Sequence, residues 1–120
     1  PTVSAHANIE GNLSADPELR FTKDGKAVCT FRIASTDRRK NQAGDWEDAG
    51  TLWVNVTLWD RKGEAFAETA RKGNRVIVAG KLRMETWTSK DGEPRESLKL
   101  DADVAGVIAK AQPQAASAPF

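Results

Sequence analysis

Alternation of apolar and polar positions dominates the chain. It is cleanest over residues 51–59, TLWVNVTLW. Leu52, Val54, Val56 and Leu58 fall on one side of an extended strand; Trp53, Asn55, Thr57 and Trp59 fall on the other. The first side is an ordinary core face. The second carries two indoles where a half-buried strand should present polar groups to water. The same period predicts further strands. Residues 3–13 form one that ends before Ser14-Ala15-Asp16-Pro17, and Leu19-Arg20-Phe21 is extended up to the hairpin signal Asp24-Gly25. Residues 26–36 point Ala27, Cys29, Phe31 and Ile33 inward and Arg32 outward. Residues 75–87 point Val76, Val78, Leu82 and Met84 inward, with Lys81, Arg83 and Trp87 outward. Gly80 takes an inward position there, as a bulge or a tight barrel bend requires. After the turn Lys90-Asp91-Gly92, residues 96–104 point Leu98, Leu100, Ala102 and Val104 inward and Lys99 outward.

Helical spacing occurs only over residues 61–72. Asp60 stands ready to cap that helix, Gly73 lies past its end, and Phe66 and Ala70 form its docking stripe. Residues 37–50 are polar and read as a long hairpin arm carrying Arg38, Arg39, Lys40 and Trp46. The order is three strands, a helix and two strands. It predicts an all-β fold: a five-stranded Greek-key barrel, the OB-fold, with one helix between its third and fourth strands. An open α+β sheet is the alternative, and Gly80 with the bend signals favours the barrel. Residues 110–120 are low in complexity and read as a short disordered C-terminal tail on a domain spanning residues 1–109.

Composition narrows the function. A chain of 120 residues supports one modest core. Its 18 basic and 17 acidic side chains nearly cancel, so the placement of charge matters more than its sum. The single cysteine excludes an intrachain disulfide and points to a reducing compartment. With no secretory signal and no membrane-spanning run, the expected location is cytoplasmic. No catalytic set, cofactor motif or metal set is expected. Asp45, Glu47 and Asp48 read as a solvated hairpin tip, His6 stands alone, and Cys29 reads as a small buried hydrophobe.

Parity gathers Trp53, Trp59, Trp87, Arg32, Lys81 and Arg83 on the outer surface, beside the arm. Indoles interleaved with cations suit single-stranded nucleic acid, because exposed bases stack on flat rings and cations follow the phosphates. The competing reading packs these indoles against another subunit or the arm.

Gly11-Asn12-Leu13, Asp16-Pro17-Glu18-Leu19-Arg20, Trp53, the RKGNRVIVAGKLR run of residues 71–83 and Trp87-Thr88 together resemble the bacterial single-stranded DNA-binding proteins. The resemblance covers residues 3–107. It implies an OB-fold that binds single-stranded DNA without sequence preference and assembles as a homo-oligomer, usually a tetramer, in replication, recombination and repair. By that resemblance Trp53, Trp59 and Trp87 stack bases, with Trp59 where Phe is usual. Arg39 stands where a further Trp is usual, and Trp46 is a substitute on the same arm. Arg61 and Lys72 match cations near the groove; Arg32, Arg38, Lys81 and Arg83 complete the phosphate contacts. The sequence departs from the family at Lys62 and Ala70, where leucines are typical. It also departs in the tail, which ends in Pro119-Phe120 without acids after Asp103. Recruitment of replication and repair proteins through that tip is therefore expected to be weak or altered. An RNA-binding OB module and a protein-interaction subunit remain the alternatives.

Overall fold

Strands with one apolar face must bury it, and a strongly twisted sheet does so by curling until its edges meet. The computed structural model describes residues 4–109 and consists of β1 (Ser4–Leu13), β2 (Glu18–Phe21), β3 (Ala27–Lys40), β4 (Trp46–Trp59), α1 (Asp60–Thr69), β5 (Arg75–Thr88) and β6 (Pro94–Val107). The order β1-β5-β6-β4-β3 closes into a ring because β1 returns to β3 at Asn12↔Ala34 and Leu13↔Ile33. Gly11 permits that seam, since a Cβ there would meet the Ala34 carbonyl oxygen at 2.6 Å. All pairings are antiparallel except β4 with β6. This is the five-stranded barrel expected from the sequence. The extended segment before the first hairpin adds a short sixth strand, β2, along the outside of β3.

The core is built from the inward residues of every ring strand: Leu13, Cys29, Ile33, Val54, Val56, Leu58, Val76, Val78 and Leu100. The helix α1 closes one end. Phe66 is buried and stacks on Phe31 with ring centroids 4.4 Å apart, and Ala70 is fully buried beside it. A Cβ on Gly63 would press on the Leu58 carbonyl oxygen and lie 3.1 Å from Cys29 Cβ, so glycine sets how closely the helix approaches the barrel.

Several expectations need correction. Asp60 does not cap α1: it is the first helical residue, at φ +62°, and Trp59 occupies the cap position without a side-chain cap bond. The helix ends at Thr69, not at residue 72. Ala70 turns extended, and the Asn74 side chain accepts from the Arg71 N–H, so the chain leaves the helix early. Gly73, at φ +89°, serves the following turn instead. Leu52 and Met84 have core parity but are 47% and 52% exposed, because the strands there have run past the barrel into hairpins with no layer over them. Val104 is also exposed. A bulge sets Ala79 opposite Val104 and Gly80 opposite Ala102, leaves Asp103 over, and reverses the parity of β6 beyond it. Ala105 packs on the core in place of Val104. At the same place Gly80 lets β6 cross, since a Cβ would come within 2.7 Å of Ala102 Cα.

Candidate nucleic-acid interface

Strand register assembles the outer face. On β3 and β4, Val28 lies opposite Trp59, Thr30 opposite Thr57, Arg32 opposite Asn55 and Ala34 opposite Trp53. The parallel pair carries the face onto β6 at Asn55↔Lys99 and Thr57↔Asp101. It continues onto β5 at Lys81↔Asp101, Arg83↔Lys99, Glu85↔Ser97 and Trp87↔Arg95. The face therefore spans β3, β4, β6 and β5. Trp53, Trp59 and Trp87 are 43%, 44% and 49% exposed, so roughly half of each indole is open for stacking.

The indoles differ in their surroundings. The Arg32 guanidinium lies 4.2 Å from the ring centroid of Trp53, a cation–π contact already made in the free chain. Arg32, Asn55, Trp87, Ser97 and Lys99 line one open hollow between the two long hairpins, with Glu85 and Glu96 at its side. Trp59 sits at the start of α1, in a hollow shared with Lys26, Arg61 and Lys62.

The arm holds a further indole by an irregularity. A register shift at Asp37/Arg38 pairs Asp37 with Gly50 and Arg38 with Asp48, and reverses the parity of the outer part of β4. Trp46, opposite Lys40, thereby joins the face of Arg32 and Trp53, with the Lys40 ammonium 5.7 Å from its ring. Arg39 falls on the other side of the ladder, opposite Glu47. Lys72 lies in the turn after α1, where its backbone N–H donates to Asp16 Oδ1 at 2.7 Å; it lines none of the hollows that hold an indole. The side chain of Arg38, and Pro119 with Phe120, lie outside the described residues.

Two acids on this face were not among the residues singled out from the sequence. Glu85 Oε2 accepts from Arg83 Nη1 at 2.8 Å, and its Oε1 is 3.2 Å from Lys99 Nζ. Asp101 Oδ2 lies 3.4 Å from Arg83 Nε. The hydrogen bond to Glu85 raises the Arg83 guanidinium pKa, against desolvation and with help from Asp101. The hydrogen bonds from Arg83 and then Lys99 hold the Glu85 carboxyl below its ordinary value. Alternation carried a signal for Glu85, which shares the parity of Arg83 and Trp87. Among the described residues no group of His, Cys, Asp and Glu side chains could hold a metal ion. No helix there is long and apolar enough to cross a membrane.

A five-stranded ring closed by a helix, with indoles and cations across one outer face, defines an OB-fold protein. The model of the Single-strand binding protein family matches residues 5–108, and the chain belongs to that family. It is 46% identical over 99 residues to a single-stranded DNA-binding protein of Corynebacterium glutamicum, covering 82% of this chain and 44% of the relative. It is 40% identical over 99 residues to one from Mycolicibacterium smegmatis, covering 82% and 60%. The chain thus spans about half the length of such relatives. Among solved structures, the small single-stranded DNA-binding protein of Streptomyces coelicolor superposes with a TM-score of 0.75 at 25% identity, covering 90% of this chain and 95% of that one.

Proposed function

We propose that this chain binds single-stranded DNA without sequence preference, as a binding protein and not as an enzyme. The observation that carries the reading is the single outer face that holds Trp53, Trp59, Trp87 and Trp46, with Arg32 stacked over Trp53 and lining, with Trp87 and Lys99, the hollow between the hairpins. Bases stack on the indoles at about 1–3 kcal/mol each, and a duplex hides the base faces needed for this. Arg32, Arg38, Lys81 and Arg83, with Arg61 beside Trp59, neutralise phosphates on this face; Arg39 and Lys72 lie off it and reach only a strand that runs beyond it. Each neutralised phosphate steepens the log–log salt dependence by about 0.7. The role is to protect exposed strands during replication, recombination and repair in the cytoplasm, on the nucleoid. The working form is a homo-oligomer, a tetramer. Support for assembly comes from the apolar strip of Ile77, Ala79, Val104 and Gly106 across β5 and β6, where Ile77 is 46% and Val104 52% exposed in a single chain.

The test is a titration with oligo(dT), read by tryptophan fluorescence at several salt concentrations. Strong quenching at low salt that weakens as salt rises is expected. No quenching at low salt would overturn the reading and favour a protein-interaction subunit. Competition with the matching ribo-oligomer completes the test, since a clear preference for RNA would also overturn it.

A further inference from the structure

We propose that Glu85, with Asp101, acts as a built-in phosphate stand-in that occupies the central cations of the face and limits the affinity for single strands. The inference rests on the function proposed above. Glu85 is on β5, two residues before Trp87 and on the same side of the strand. Its two carboxylate oxygens are divided between cations on two strands, Arg83 of β5 at 2.8 Å and Lys99 of β6 at 3.2 Å. A phosphate lying between those strands would bridge the same pair of cations through two of its oxygens. Asp101 adds a second acid to Arg83 at 3.4 Å. These are not buried structural pairs. The side chains are 30–49% exposed, so each pair contributes little to the fold and remains open to exchange with an incoming anion.

The consequence is competition. A strand that reaches Arg83 and Lys99 displaces Glu85 and leaves that carboxylate beside the phosphates. The phosphates there shed fewer condensed counterions than they would on free cations, because the displaced carboxylate stays beside them and restores part of the negative charge. Arg83 and Lys99 therefore contribute less to salt dependence than their number implies. Glu85 also discriminates by geometry: a ligand whose phosphates do not reach the Arg83–Lys99 gap cannot displace it.

The experiment compares wild type with Glu85→Gln by fluorescence polarisation of a labelled oligo(dT) across a salt series. Asp101→Asn is a second variant, and Glu10→Gln is a control. Glu10 pairs with Arg75 at 3.2 Å near the other end of β5, so its substitution makes the same charge change away from the indoles. Glu85→Gln should bind about three- to tenfold tighter at moderate salt, the range that two exposed ion pairs allow. Its log–log slope should steepen by about 0.7 to 1.4, one or two further phosphates. Asp101→Asn should show a smaller change of the same sign, and it decides the matter if Glu85→Gln does not fold by circular dichroism. Unchanged affinity and slope in the folded variants would overturn the proposal. So would equal tightening by Glu10→Gln, which would assign the effect to net charge. Absence of binding by wild type would instead overturn the function proposed above, and this inference with it.

Discussion

Trp53→Ala separates stacking from charge. In the free chain Trp53 is 43% exposed and carries the Arg32 guanidinium 4.2 Å from its ring centroid. Removing the indole deletes one base stack, about 1–3 kcal/mol. It also frees Arg32 from a cation–π contact of about 0.5–1 kcal/mol at an exposed site, and the freed cation can then seek a phosphate. These act in opposite directions, so the net loss should be about 0.5–2 kcal/mol, a weakening of roughly 2- to 30-fold. No phosphate contact is removed, so the slope of log affinity against log salt should not become shallower. Arg32→Ala should behave differently, with the slope shallower by about 0.7 and the loss fading as salt rises. Polarisation of a labelled oligo(dT) measures both without depending on intrinsic fluorescence. If Trp53→Ala bound within twofold of wild type, the ring would not be a stacking platform. If it lost affinity only at low salt, with a shallower slope, Trp53 would act by holding Arg32 and not by stacking.

Three further outcomes concern the scaffold. Phe66→Ala should lower unfolding free energy by about 3–5 kcal/mol in urea titrations, since the ring is buried against Phe31; a loss below about 1 kcal/mol would mean α1 is not docked as described. Gly63→Ala should destabilise despite alanine's better helix propensity of about 1 kcal/mol, because a Cβ there meets the Leu58 carbonyl and Cys29 across a closely packed contact. A more stable variant by thermal melting would refute that close approach. Burial pushes the Cys29 thiol up to about 11, so it should resist thiol reagents at pH 8 until the chain is unfolded and then titrate as one group. The folded state holds this proton more tightly than the unfolded one. The contribution to stability is therefore full below the ordinary thiol pKa of about 8.5 and is lost as pH rises towards 11. A Cys29→Ala variant should lack that alkaline decline in denaturant titrations.

The sequence was most legible where one period ran unbroken. Residues 51–59 alternate without interruption, and Val54, Val56 and Leu58 are buried in the order read, with Trp53 and Trp59 outside. Legibility ended at the bulges. The extra residue near Ala49 brings Trp46 onto the indole face, against simple counting back from Trp53. Asp103 likewise turns Val104 outward. A bulge changes register without an obvious local mark, so parity extrapolated across it points to the wrong side. Length was a second limit. Leu52 and Met84 satisfy the alternation, yet where the barrel ends depends on partners distant in sequence. The acids of the face illustrate a third. Glu85 lies on the parity of Arg83 and Trp87, but its bridging position needs the β5–β6 register that brings Lys99 opposite Arg83.

The face is made of two hairpins, β3–β4 and β5–β6, joined to one another on this side only where Val54 to Thr57 run parallel to Leu98 to Asp101. Trp53 and Arg32 belong to one hairpin, and Trp87, Arg83 and Lys99 to the other. Opening that seam would part the indoles without unfolding either hairpin. A single strand stretched from Trp53 to Trp87 would thus be a crosslink across this short parallel seam of the barrel. The ligand would become a mechanical member of the fold, and letting it go and letting the barrel breathe would share one hinge.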